Sequence, residues 1–179
     1  MAFPYSSGDV LTAADLNQSS GLVFITSVTV GSGVSSVTVT DAFSATFRNY
    51  RIIVDSVDAS TITSLNFELG TGSPAHTSGY YGVSSGRSYI SGVTNTNYNN
   101  QPPMPIATAN TTNATNSAIE VYSPYGGSYT QFHAVSGGDR GQFTTGQYSS
   151  ATSFTDFTLK MTTGTITAGT IRVYGYNDG

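Results

Sequence analysis

The residues best suited to chemistry are few and scattered along the 179-residue chain. Gly82-Val83-Ser84-Ser85-Gly86 matches the G-x-S-x-G pattern of a nucleophile elbow, which needs a strand before the serine and a helix after it. The segment that follows, Arg87–Gly92, is a poor helix former, and glycine and serine are so frequent here that such a match is expected by chance. We therefore predict no nucleophilic serine.

Histidines and carboxylates give no stronger signal. The two histidines, His76 and His133, do not stand at a metal-ligand spacing, and no aspartate pattern of a calcium loop is present. His133 lies between Phe132 and Ala134, which predicts an outward-facing position on a strand. No close carboxylate pair indicates glycoside hydrolysis, and there are no cysteines. The sequence thus predicts a protein with no catalytic residues, no metal and no cofactors.

The composition narrows the class of partner. Only 9% of residues are charged and the net charge is −4, with no basic cluster, so nucleic-acid binding is disfavoured. No apolar stretch approaches the roughly 20 residues of a membrane span, so we expect no membrane insertion. The first residues lack the basic start and apolar run of a signal peptide, which favours synthesis in a cytoplasm without export.

Strand signals dominate from Leu22 onward. Short alternating or apolar runs separated by turns predict an all-β protein, an antiparallel jelly-roll-like β-sandwich over residues 22–179. Leu22–Val30 and Val34–Thr40 flank a glycine-rich turn and predict a hairpin, whereas the polar stretch 91–117 predicts surface loops.

Turn-rich segments also predict that Tyr129–Val135 pairs with the run before it, Ala118–Tyr122, and with the run after it, Gln142–Tyr148. Alternation also predicts a set of core residues: Ile52, Val54, Leu65, Phe67, Val121, Leu159, Ile171 and Val173.

Residues 1–21 differ from the rest and form a predicted N-terminal arm. Thr12 is a good N-cap, and Asp15 follows at the capping-box position, so we expect a helical turn that ends near Asn17. The arm is too short to bury its apolar residues in a core of its own. We therefore predict that it docks on a larger particle, or alternatively folds back on its own sandwich, through Phe3, Tyr5, Val10, Leu11 and Leu16.

Tyrosine is the most plentiful aromatic residue, with twelve copies and no tryptophan. Tyrosine combines a large contact area with a polar tip, which suits interfaces, although tyrosines on sheet surfaces are also common. The absence of tryptophan weakens a role in sugar stacking. Candidate contacts with other subunits or with a receptor, including a host surface glycan, are Tyr80, Tyr81, Tyr98, Tyr125 and Tyr129.

The segment Gly8-Asp9-Val10-Leu11-Thr12-Ala13-Ala14-Asp15-Leu16-Asn17 resembles the opening of many tailed-bacteriophage virion proteins, described as tail fibre, minor tail or structural proteins. The remainder looks like β-sandwich modules of environmental phages, with similar stretches at Tyr50–Val54, Ser78–Tyr81 and Gly169–Tyr176. The resemblance implies a virion protein made in the host cytoplasm, a homotrimer, and partners among the tail proteins or the major capsid protein.

Three roles follow from this sequence. The first is a non-enzymatic, tail-associated appendage, a short fibre or tip that presents the sandwich to the host surface. The second is a capsid decoration or cement protein on the phage head, which the small size and the lack of a shaft repeat favour. The third is a carbohydrate-binding module.

Overall fold

The computed structural model describes Val10, Thr12 and residues 21–72, 75–88, 92–138 and 140–177. Within these residues there are twelve strands and no helix. Of the predicted docking residues only Val10 is described, and its side chain is exposed. Phe3, Tyr5, Leu11 and Leu16 lie outside the described residues, as does most of the predicted helical turn.

The strands are short and closely spaced, as the turn-rich sequence predicts. They are β1 (Leu22–Thr29), β2 (Ser36–Val39), β3 (Asn49–Ala59), β4 (Thr63–Gly70), β5 (Tyr80–Ser88), β6 (Gly92–Gln101), β7 (Met104–Ala109), β8 (Thr115–Tyr122), β9 (Tyr129–Gly137), β10 (Arg140–Ala151), β11 (Asp156–Met161) and β12 (Ile166–Tyr176).

Two antiparallel sheets contain these strands. The larger has the order β1-β12-β3-β8-β9-β10-β5-β6, and the smaller has the order β2-β11-β4-β7. The first four strands pair with later strands in reverse order, β1 with β12, β2 with β11, β3 with β8 and β4 with β7. This nested pairing defines an eight-stranded jelly roll. The predicted antiparallel, jelly-roll-like sandwich is confirmed.

The other four strands are additions to the jelly roll. The hairpin β5–β6 is inserted between β4 and β7, and the hairpin β9–β10 is inserted between β8 and β11. Both hairpins join the larger sheet beside β8, so that this sheet extends beyond the smaller one. We call β5–β6 and β9–β10 the inserted hairpins.

The core lies between the two sheets. All eight predicted core residues are buried there, which confirms the prediction from alternation: Ile52, Val54, Leu65, Phe67, Val121, Leu159, Ile171 and Val173. Phe67 lies at the junction of the two sheets, with ring centroids 5.3 Å from Phe132 and 5.6 Å from Phe157. Tilted and edge-to-face aromatic pairs of this kind add to the stabilisation that comes from buried area.

Two local predictions are wrong. Leu22–Val30 and Val34–Thr40 do not form a hairpin, because β1 and β2 belong to different sheets. The glycine-rich segment between them carries the chain from one sheet to the other, and Gly33 donates a backbone hydrogen bond to Ile166. Residues 91–117 are not long loops, since β6, β7 and the start of β8 occupy most of them. Polar residues fit β6 because it is an edge strand exposed on both faces.

The sandwich closes at one corner. Leu22 at the start of β1 pairs with Tyr176 at the end of β12, and the Asn177 amide donates to the Gly21 carbonyl over 3.1 Å. The strand β6 forms the opposite edge of the same sheet.

Polar side chains occupy part of the inner face of the inserted hairpins. Gln142 and Thr144 on β10 are buried, as is Ser84 on β5. The Thr144 hydroxyl donates to the carbonyl of Pro105 on β7 over 2.6 Å, and the Gln142 amide donates to the same carbonyl over 2.8 Å. Ser84 Oγ accepts a hydrogen bond from the Gln142 amide over 3.0 Å and lies 3.2 Å from Thr144 Oγ1. This network joins the inserted hairpins to the edge of the smaller sheet.

Candidate binding surface

The outer face of the larger sheet carries large apolar side chains where a solvated sheet would carry polar ones. Seven exposed large hydrophobic residues lie on its strands: Phe24, Val83, Val93, Tyr122, Tyr129, Val135 and Phe143. Most belong to the inserted hairpins or to β8 beside them. An exposed apolar patch of this kind marks a surface that contacts something other than water.

Four side chains form one row across this face. Tyr122 on β8 is the register partner of Gln131 on β9. Gln131 is paired with Gln147 on β10, and Gln147 with Tyr81 on β5. Since neighbouring strands lie about 4.8 Å apart, the row spans roughly 14 Å. We call these residues the Tyr-Gln-Gln-Tyr row.

A shallow cleft of about 460 Å³ lies over this row. The row lines it together with Val83, His133 and Thr145 from the next register, and with parts of Gly82, Phe132 and Gly146. Gly82 and Gly146 are cross-strand partners beneath the cleft. A Cβ on Gly146 would lie 2.5 Å from Met104 Sδ and 3.0 Å from Phe132 Cζ. Only glycine permits this approach, so the cleft is built directly on the packed core.

The two amides in the row differ from the buried one nearby. Gln131 is exposed and Gln147 is half-buried, and neither side chain hydrogen-bonds to a residue that the structure describes. Gln142, on the opposite face of the strand that carries Gln147, has Nε2 within hydrogen-bond distance of Pro105, Ser84 and Thr144, and its Oε1 accepts from Thr108. Each glutamine amide offers two donors and an acceptor with two lone pairs. The cleft therefore presents two adjacent amides that are available for a ligand.

Ring faces continue the cleft diagonally across β8, β9 and β10. The Tyr122 and His133 ring centroids are 5.6 Å apart, and those of His133 and Phe143 are 6.5 Å apart. The rings tilt by 37° and 32° from one to the next, so they present broadly similar faces. Tyr122 Oη lies 3.4 Å from His133 Nδ1. We call Tyr122, His133 and Phe143 the aromatic strip.

The carboxylate nearest the aromatic strip already contacts two side chains of the protein. Glu120, the register partner of His133, lies 3.3 Å from Arg51 Nε and accepts a 2.7 Å hydrogen bond from the Tyr176 hydroxyl. Burial, and then this hydrogen bond to Glu120, raise the pKa of Tyr176. Burial, and then the charge of Glu120, raise the pKa of Tyr122. Both phenols are therefore neutral at physiological pH, and the cleft lining contains no Asp, Glu, Lys or Arg.

The predicted tyrosine contacts are spread over the molecule. Tyr81 lies in the cleft and Tyr129 is exposed near one end of β9. Tyr98 is half-buried against the core, and Tyr125 lies in a depression at the end of the sandwich beside Phe47 and Arg48.

Tyr80 is the one predicted contact that the structure corrects. Its side chain is completely buried, its hydroxyl donates to the His76 carbonyl, and it accepts a bond from the Leu69 amide. Burial is also the main cause of its raised pKa. Adjacent residues on a strand face opposite ways, so of the Tyr80–Tyr81 pair only Tyr81 reaches the surface.

The sequence analysis identified the outward position of His133 but not its role, and it missed Tyr122, Gln131 and Gln147. The predicted pairing of β8 with β9 could have identified two of them, because its register places Tyr122 opposite Gln131. The G-x-S-x-G segment lies within β5, where Ser84 points inward and joins the buried network. Its serine is thus not on the exposed turn that a nucleophile elbow requires.

Among the described residues, no group of three or more histidine, aspartate or glutamate side chains is placed to hold a metal ion. The part of the chain that the structure describes contains no helix that would span a bilayer. Fold and surface define an all-β jelly-roll protein with an uncharged, aromatic cleft on one sheet. Comparison with protein-family models, curated proteins and solved structures found no significant match.

Proposed function

We propose that the protein is a non-enzymatic structural protein of a bacteriophage particle, a tail-associated appendage that presents its sandwich to the host surface. The larger sheet's outer face, centred on the cleft, is the surface that makes this contact. The N-terminal arm, residues 1–21, is the element that docks on other virion proteins.

One structural observation carries the proposal: the uncharged aromatic strip is exposed on a rigid sheet. The side chains of Tyr122 and Phe143 are exposed to water, and a partner that covers them would gain free energy from the burial of their apolar area. The floor beneath them needs no rearrangement, because the core packs against the backbone of Gly82 and Gly146. A preformed, uncharged surface favours contact with a ligand or partner over chemistry.

The resemblance of residues 8–17 to virion proteins is the support for the phage assignment. The jelly roll is compatible with it, since this architecture occurs in viral capsid and lectin domains. The low charge, 9% of residues, suits a protein whose neutral surfaces meet other subunits. We propose a homotrimer, and the number three rests on the resemblance to phage appendages alone.

Quantitative mass spectrometry of purified particles tests the assignment. A few to a few dozen copies per particle are expected for a tail appendage, whereas hundreds would show the decoration protein of the phage head. Absence from the particles would refute both roles. Light scattering of the purified protein tests the trimer, and a monodisperse monomer at high micromolar concentration would contradict it.

Deleting residues 2–18 tests the arm. The truncated protein is expected to keep its melting temperature and to fail to incorporate when it is supplied during particle assembly. Normal incorporation would contradict docking through the arm. A lowered melting temperature would show instead that the arm packs on its own sandwich.

A further inference from the structure

We propose that the cleft over the Tyr-Gln-Gln-Tyr row binds a neutral saccharide. The inference deepens the proposed host contact by naming its chemical class, and it rests on that function only for its biological setting. The ligand is a hydroxylated, uncharged ring that lies against the aromatic strip while its hydroxyl groups meet the two amides.

The amides carry the first step of the argument. Gln131 and Gln147 are cross-strand partners and have no hydrogen bond to a described residue. Adjacent hydroxyl groups on a sugar ring each need a donor and an acceptor, and a glutamine amide supplies both from one planar group. Two such amides side by side match a row of sugar hydroxyls better than they match an apolar ligand.

The rings carry the second step. Tyr122 and Tyr81 stand at the two ends of the row, and His133 extends the aromatic surface from Tyr122. The C–H groups on the faces of a sugar ring pack well on aromatic faces, as other apolar groups do. Since the row spans roughly 14 Å, it accommodates more than one sugar unit between its tyrosines.

Charge carries the third step. The residues that line the cleft include no Asp, Glu, Lys or Arg. The nearest carboxylate, Glu120, is held by Arg51 and Tyr176, so it does not attract a cationic ligand. No guanidinium or ammonium group is present in the lining to recognise a carboxylated or sulfated sugar. These features favour a neutral saccharide over an acidic one.

A single cleft of this kind binds weakly. It is open and shallow, it has tyrosine rather than tryptophan, and it buries only part of a ligand. We therefore expect affinity in the millimolar range for one site, raised by avidity when several copies on one particle engage the same surface.

Nuclear magnetic resonance titration of the full-length protein provides the test. The probes are neutral oligosaccharides of glucose, galactose, mannose and N-acetylglucosamine, with a uronic-acid oligosaccharide and an extended uncharged peptide as competing classes. At least one neutral oligosaccharide is expected to shift the backbone amide resonances of β9 and β10 around Gln131 and Gln147, and the competing classes are expected to leave them in place.

Four matched variants sharpen the test. Gln147→Glu replaces an amide donor with a charge and is expected to weaken binding by about tenfold or more. Gln101→Glu makes the same change on the exposed strand β6 and is expected to have no effect. Tyr122→Ala is expected to abolish measurable binding, whereas Ile62→Ala, which removes an exposed apolar side chain outside both sheets, is expected to retain it. Thermal melting of each variant checks that the fold is intact.

Each outcome decides for or against the saccharide. The proposal would be overturned if no neutral oligosaccharide shifted these resonances. It would also be overturned if only the uronic-acid oligosaccharide or only the peptide shifted them. Binding that survives both Gln147→Glu and Tyr122→Ala would place the saccharide elsewhere and overturn the assignment of the cleft. The particle measurement proposed above is independent, because the purified protein can bind a sugar whether or not it is found in virions.

Discussion

The jelly roll and the inserted hairpins share the larger sheet but differ in the side chains that they bury between the two sheets. The inner face of β3 presents Tyr50, Ile52, Val54 and Val57 to the core. The inner face of β10 presents Gln142 and Thr144, and β6 buries none of its residues. The jelly roll is therefore stabilised mainly by apolar burial, whereas the inserted hairpins combine the apolar burial of Tyr80 and Phe132 with hydrogen bonds across to β7.

The residues that stabilise the fold and the residues that line the cleft therefore lie on different parts of one sheet. Apolar burial contributes most of the folding free energy, so the jelly roll has no need of the hairpins' outer surface. The cleft lies over β8 and the inserted hairpins, where the outer face carries aromatic and amide groups that folding does not use. The hairpins extend the sheet on which the proposed binding surface lies.

The comparison predicts a wide spread in local stability. Backbone amides of β3 are expected to exchange with solvent only on global unfolding. Those of β6 are expected to exchange several orders of magnitude faster, because this edge strand has no buried side chain. Hydrogen exchange measured by mass spectrometry checks this. Equal protection of β3 and β6 would show that the sheet unfolds as one unit.

Removing the ring at the junction of the sheets should have the largest effect among the substitutions. Phe67→Ala is expected to lower the free energy of unfolding by about 3–5 kcal/mol, since it opens a cavity between Phe132 and Phe157. Phe143→Ala, on the outer face, is expected to cost no more than about 1 kcal/mol. Denaturant unfolding of both variants measures the difference, and similar losses would contradict the placement of the core.

The polar network under the hairpins gives a smaller effect. Thr144→Val keeps the shape of the side chain but leaves the Pro105 carbonyl and Ser84 hydroxyl short of a partner. We expect a loss of about 1–3 kcal/mol. The neighbouring change Thr145→Val, on the outer face, is expected to stay within about 0.5 kcal/mol of the wild type. An increase in stability on Thr144→Val would show that the hairpins do not depend on this network.

Glu68, one of two buried carboxylates in the smaller sheet, should give the smallest effect. Burial raises the pKa of Glu68, and Lys160, 3.8 Å away, offsets only part of that shift. The folded state therefore holds this proton more tightly than the unfolded state, so stability falls as pH rises through the folded pKa. Glu68→Gln is expected to raise stability at pH 7 by no more than about 1 kcal/mol.

Melting temperatures of the wild type and Glu68→Gln as a function of pH check this sign. The two proteins are expected to converge below the ordinary glutamate pKa of about 4.3, where the carboxyl is neutral in both states. A variant that is less stable at pH 7 would show that the ion pair with Lys160 contributes more than the burial of Glu68 costs.

Alternation was enough to predict the core and the fold class. Leu65 and Phe67 alternate with polar neighbours, and a period of two places them on one face regardless of which strand lies beside them. The pairing of β1 with β12 was not predictable in this way, because its partners stand at opposite ends of the sandwich sequence. A glycine-rich turn suggests a hairpin whether the chain returns along the same sheet or crosses to the other.

The cleft was less predictable than the core. The Tyr-Gln-Gln-Tyr row depends on three pairings, of which the sequence predicted β8 with β9 and β9 with β10 but not β10 with β5. The first two already bring Tyr122, Gln131 and Gln147 together, yet a glutamine on an outward position looks like ordinary solvated surface. Only the structure shows that its amide lies beside aromatic rings and has no hydrogen bond to a described residue.

The meeting of Gly21 and Asn177 at one corner has a consequence for engineering. Paired residues on antiparallel strands lie only about 5 Å apart, so the chain enters and leaves the sandwich at almost the same point. A segment with this property can be spliced into an exposed loop of an unrelated carrier without stretching the loop. The 21–177 segment is thus a portable cassette, with its cleft on β5, β8, β9 and β10 rather than on the two strands at the splice.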